Sequence, residues 1–140
     1  MNQSVPKALR YARIFAAIAV IRLIGLVLFT APSTSIPSYY STTFGLGDVL
    51  TGVFALPVAW ALGRGGIRTY ALATTWAFVG FIDLVYAVTI ATQAGLFNAI
   101  SNFFGTGIII LPIAMIIQLI VLGLLLTGPV SKYMARPMSP

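Results

Sequence analysis

The sequence contains no cysteine and no histidine, and only 7% of its 140 residues are charged. Lacking those two side chains, it cannot build a disulfide framework, a Cys/His zinc site, a His- or Cys-ligated haem, a thiol nucleophile or an imidazole base. Any catalysis would run on Asp, Arg, Tyr, Ser or Thr. A soluble domain carries about 25% charged residues, so the scarcity of charge also excludes an ordinary soluble fold. Apolar residues take the place of charge, at 59% of the chain with a mean hydropathy of +1.02. Crossing ~30 Å of hydrocarbon takes about 20 apolar residues. Four such runs fit, at roughly 14–30, 44–62, 69–92 and 107–127, leaving almost nothing for a second domain.

The net charge of +6 is not spread as nucleic-acid binding requires. Lys7, Arg10 and Arg13 precede the first run, Arg64 and Arg68 lie between the second and third, and Lys132 and Arg136 follow the fourth. The other two connections are uncharged. This alternation is the positive-inside pattern, which places both termini in the cytoplasm, with a bacterial cytoplasmic membrane as the expected location. A basic start before an apolar run also has the outline of a signal peptide. Arg22 interrupts that run, so a retained span is expected.

In order, the first span leads to APSTSIPSYYSTTF, rich in Ser, Thr and Pro and expected to be an irregular outer loop with Tyr39 and Tyr40 as an interfacial aromatic anchor. The second span carries Pro57, which frees the carbonyl four residues earlier and predicts a kink near Val53. GRGGIR makes a tight inner turn into the third span. In AGLFNAISNFFGTG, Leu96, Phe97, Ile100, Phe103 and Phe104 fall at helical spacing, opposite Asn98, Ser101 and Asn102, which reads as a short helix lying in the outer interface. The fourth span contains Pro112, a second expected kink, and ends at Gly128 and Pro129 before a basic tail. Trp60 and Tyr70 suit the inner interfacial belt.

The chain also repeats itself. TGVFALPVAWAL from Thr51 matches TGIIILPIAMII from Thr106, with Thr, Gly, Leu, Pro and Ala in register at an offset of 55. Setting Ile21-Arg22-Leu23-Ile24 over Ile82-Asp83-Leu84-Val85 extends the match at an offset of 61. The repeat then covers 14–62 and 75–117. The expected fold is all-α: a polytopic membrane protein of four transmembrane helices built as two tandem helical hairpins related by a pseudo-twofold axis along the membrane normal, with a short interfacial helix before the fourth. The second hairpin's Asp83 would face the first hairpin's Arg22.

Arg22, Asp48 and Asp83 are the only charges outside the inner boundary. At 1.5 Å per helical residue, the two aspartates lie roughly 22 to 24 Å from the inner basic residues and Arg22 roughly 18 Å, within reach of both given its long side chain. Unpaired, the three would cost ~6 to 9 kcal/mol, comparable to a small protein's whole stability, so they are expected to pair. One reading is a structural bridge that locks the bundle. Another notes that two carboxylates against one guanidinium leave a negative charge that a proton, a cation or a polar ligand must balance.

Other residues are less specific. Gly45, Asp48, Gly52 and Ala55 share a face of small residues suited to close helix packing. Thr51, Trp76, Asn102 and Thr106 are candidates to line a cavity, although Thr51 and Thr106 also suit hydroxyl bonds to their own helices and Trp76 suits plain packing. Gln118 reads as polar glue between helices. No residue is assigned as catalytic or as a metal ligand, and no cofactor is expected.

GxGDxxTG, LPVAWAL and a W-x3-G-x2-DL pattern, here Gly45, Gly47, Asp48, Thr51, Gly52, Leu56, Pro57, Trp76, Gly80, Asp83 and Leu84, resemble a group of small bacterial four-span membrane proteins. The resemblance covers about residues 45 to 115. Members often carry Asn after the tryptophan, where this chain has Ala77. It implies the four-span fold and brings no activity or cofactor. Three classes stay open: a small transport or channel-like protein using the cluster as a proton or cation site, a membrane accessory subunit shaped by it, and a membrane enzyme with Asp48 and Asp83 as acid and base. Expected partners are the lipid bilayer, a small cation, proton or apolar ligand, and a second copy of the chain or another membrane protein, without nucleic acid.

Overall fold

A computed structural model describes residues 4–30, 35–104 and 110–136. These residues are largely helical, with no strand among them. The first helical run comprises α1 (Lys7–Ile18), a 3-10 segment (Ala19–Ile24) and α2 (Gly25–Thr30); α3 (Ser38–Arg64), α4 (Ile67–Gln93), α5 (Phe97–Phe104), α6 (Ile110–Leu125) and α7 (Gly128–Met134) follow. Three helices are long and apolar enough to cross a membrane: Lys7–Leu28, Ser38–Arg64 and Ile67–Gln93. Leu111–Leu125 and Gly128–Met134 meet at 66° and make a fourth only if that bent pair is counted as one span.

The helices close into a ring. The first run packs on α3 and α6, and α4 packs on the same two. Small residues permit this. Ala73, Ala77, Gly80, Leu84, Ala87 and Ala91 form the buried seam of α4 at alternating spacings of four and three, a stripe that lets backbones approach where lipid supplies no hydrophobic drive between helices. Gly52 on α3 sits against the 3-10 segment, where a Cβ would come within 2.8 Å of the Leu23 backbone nitrogen. Arg64 ends α3, and Gly65 and Gly66, at φ of 78° and 96°, turn the chain straight into α4. Positive φ is open to glycine without steric cost, so two residues suffice for the reversal.

Among the described residues, three apolar clusters fill the ring, the smallest of them Ala19, Ala55 and Ile117; the two larger ones lie toward its two ends. One, at the end with the termini, joins Leu9, Ala12, Ala16, Leu62, Ala77, Val121 and Leu125 with Val130 and Met134 of α7. The other, at the opposite end, joins Leu28, Ile36, Tyr40, Phe44, Ala87 and Ala91 with Leu96 and Ile100 around α5. Arg22 is buried between them.

Several expectations need correction. The outer loop is shorter than expected, because α3 begins at Ser38 and takes in most of the Tyr-Ser-Thr stretch. Tyr40 is no interfacial anchor: its ring packs on Phe44 at 4.6 Å between centroids and its hydroxyl donates to Ala87 O at 3.4 Å, while Tyr39 is exposed. The first helical run begins at Lys7, seven residues before the expected start. The expected basic tail is partly α7, which folds back to bury Val130 and Met134. The α5 helix forms where expected, but Leu96 and Ile100 pack on the protein's own core, leaving Asn98 and Asn102 exposed. The α3 helix includes Pro57 and is continuous through it, as a proline bend within one helix would also be. The first residues of the TGIIILPIAMII segment, Thr106 among them, lie outside the described residues, and Pro112 lies within α6.

Candidate functional site

The 3-10 segment presents Arg22 to the interior, almost completely buried. Its Nε donates to Asp48 Oδ1 at 2.7 Å, and Nη2 lies 2.6 Å from the same oxygen. Nη2 also donates to Asp83 Oδ2 at 2.5 Å, and Nη1 donates to the Gly80 carbonyl at 2.9 Å. One guanidinium thus joins three helical runs: its own, α3 through Asp48 and α4 through Gly80 and Asp83. Planar, always charged and rich in fixed donors, arginine suits this task where lysine would offer a single point charge.

Glycines make the space. A Cβ at Gly47 would fall 2.6 Å from Asp83 Oδ1, and one at Gly25 would overlap the Asp48 Cβ. Asp48 therefore rests on the backbone of the first run, and Asp83 on that of α3. Among the described residues, Asp48 Oδ2 and Asp83 Oδ1 accept no hydrogen bond, so each carboxylate has one oxygen to spare. The side chains of Asp48 and Asp83 retain 14% and 23% of their exposure, against 1% for Arg22, so the acids and not the base are open to a small species.

A cavity of about 30 Å³ is lined by Arg22, Asp48 and Asp83 together with Tyr40, Phe44 and Leu84, among others. Room for one water-sized species needs roughly 10–15 Å³. Asp83 also borders an open groove on the outer face of α4 with Phe78, Val79, Ile82 and Tyr86.

The structure therefore brings together the three charged residues singled out in the sequence. Of the other candidates, Thr51, Trp76 and Asn102 are among the described residues and Thr106 is not. Thr51 is buried and half-buried Trp76 donates its indole N–H to the Thr51 carbonyl at 3.1 Å, a tie between α3 and α4, but neither borders the cavity. Trp76 instead lines an apolar cleft of about 480 Å³ between α3 and α4, with Phe54, Pro57 and Leu72. Asn102 is exposed. Sequence reasoning missed Tyr40 as a wall of the cavity and the Gly80 carbonyl as an acceptor. A tyrosine eight residues before Asp48 lies on roughly its helical face, a signal that was present had the loop not been drawn too long.

The family model described as Domain of unknown function (DUF8737) matches residues 3–128. The chain belongs to that family. The matched region holds Arg22, Asp48, Asp83 and the helices that carry them. No curated protein and no solved structure matches the chain.

Proposed function

We propose that this member of the DUF8737 family is a four-span integral membrane protein, with both termini cytoplasmic, whose Arg22–Asp48–Asp83 cluster takes up a proton or a small cation in transport or ligand binding. The observation that carries this reading is the imbalance of the cluster: two carboxylates on one guanidinium, each with a spare oxygen, beside a cavity large enough for one water-sized species. A net negative charge in a low-dielectric interior is costly, and a bound proton or monovalent cation removes it. The gathering of basic residues at one end supports the orientation. Arg10, Arg13 and Trp60 line one surface hollow, Arg64 lies over Trp60 at 3.8 Å, and Arg68 and Arg136 share another hollow. Since so small a bundle encloses little volume, the working unit in this reading is a homo-oligomer or a complex with another membrane protein.

One observation favours a second reading, an accessory subunit whose cluster only locks the bundle. Arg22 is saturated on the carboxylate side and ties three helical runs, as a structural bridge would. Thermal stability in detergent separates the two, measured on wild type, Arg22→Ala, Asp48→Asn and Asp83→Asn across pH 5 to 8 with and without added monovalent cations. Arg22→Ala leaves two carboxylates facing each other and should cost ~3–5 kcal/mol. In the proton or cation reading, wild-type stability depends on pH or on the cation, and one Asp→Asn variant keeps its melting temperature while losing that dependence. If the folded state takes up a proton the unfolded chain does not, stability falls as pH rises. Wild-type stability indifferent to both variables leaves the structural bridge.

A further inference from the structure

Gln118 on α6 is wholly buried, and neither its amide nitrogen nor its amide oxygen has a hydrogen-bond partner among the described residues. An amide in that state is a net loss to a folded chain, because nothing replaces the water it gave up. Its neighbours explain why it is tolerated. A Cβ at Gly80 would collide with Gln118 Nε2, and the same Cβ would lie 2.9 Å from Arg22 Nη1 and 3.0 Å from Thr51 Cγ2. The absent side chain of Gly80 thus leaves one space, and the Gln118 amide and the Arg22 guanidinium share it.

The guanidinium has a donor to spare on that side. Of its five N–H groups, Nε–H and those of Nη2 point to Asp48 and Asp83, while Nη1 has two hydrogens and only the Gly80 carbonyl as acceptor among the described residues. A half-turn about the last torsion of a glutamine exchanges its amide oxygen and nitrogen with almost no change in shape.

We infer that Gln118 is a positioning residue for Arg22: its amide oxygen accepts the second Nη1 hydrogen, so that α6 holds the guanidinium from an edge the aspartates do not reach. Each of the four long helical segments then contributes one group to the cluster: Arg22, Asp48, Asp83 and Gln118. The fifth guanidinium donor is satisfied, and the plane of Arg22 is fixed from both edges, which a carboxylate pair on one side cannot do alone. The assignment is independent of whether the cluster binds a proton or a cation.

The sign of one substitution tests it. Gln118→Met keeps the length and apolar volume of the side chain and removes both polar atoms. With the amide oxygen on Arg22, this variant should lower the melting temperature in detergent by several degrees, since Nη1–H is left unpaired in a buried site. An amide that serves nothing gives the opposite sign, because its removal relieves a desolvation cost; an unchanged or raised melting temperature overturns the inference. The second measurement reads the guanidinium itself in protein labelled with 15N-arginine. Arg22, the one arginine buried among the described residues, is recognised by slow exchange of its side-chain hydrogens with water. Its Nη1 signal should shift in Gln118→Met while its Nε signal, held by Asp48, stays in place. A lower melting temperature with an unmoved Nη1 signal reduces Gln118 to a packing residue and overturns the inference as well.

Discussion

Two absent side chains decide the geometry of the charge cluster as much as the three charged ones. Gly25 and Gly47 sit under Asp48 and Asp83, where any larger residue would occupy the space of the carboxylates. Gly47→Ala should therefore push Asp83 off Arg22 at a cost of about 1–3 kcal/mol, the usual penalty for overfilling a packed interior. The cause is checked by a double-mutant cycle in detergent melts. With Asp83→Ala already in place there is no carboxylate to displace, and adding Gly47→Ala should cost little. Equal losses in both backgrounds would place the strain elsewhere.

The 3-10 segment is the element on which the site depends. It carries Arg22, and it approaches α3 so closely that Gly52 touches the backbone of Leu23. Backbone cannot step aside as a flexible side chain can. Gly52→Ala should thus force the first helical run and α3 apart, at about 1–3 kcal/mol, more than the ~1 kcal/mol that replacing a helical glycine by alanine returns in propensity. Gly123 on α6 supplies the control. A Cβ there meets nothing within 4 Å, so Gly123→Ala should be neutral or stabilising in the same melting experiment. A Gly52→Ala variant as stable as Gly123→Ala would mean that the two helical runs are free to separate.

For the whole molecule, the division of charge gives a test of orientation. Lys7, Arg10, Arg13, Arg64, Arg68, Lys132 and Arg136 fall at one end of the helices, and the buried cluster lies between that end's apolar core and the core around α5. A reporter active only in the cytoplasm, fused to the C-terminus, should be active in the membrane-inserted protein. An inactive but correctly inserted fusion would reject the four-span topology with both termini inside. The 66° bend between Leu111–Leu125 and Gly128–Met134 makes this informative, because Leu111–Leu125 is shorter than each of the three helices long enough to cross a membrane.

Composition and periodicity by themselves determined a helical, membrane-type chain, the two-glycine turn and the three charges that needed one another. Each follows from a local or summed property: apolar length, the conformational freedom of glycine, the cost of charge in hydrocarbon. The internal offset even matched Arg22 with Asp83, though Asp48 rests on the same guanidinium at a distance no repeat announced. What only the tertiary structure decided concerns which face of each helix meets which neighbour. Tyr40 reads as an interfacial residue until α3 is seen to begin before it. The tail reads only as basic until Val130 and Met134 find the inner core. Gln118 reads as generic glue until Gly80 brings it beside Arg22. Apolar residues run all round α3, α4 and α6, so the pattern that marks an inward face in a soluble protein is nearly erased there, and the packing of small residues selects the face instead.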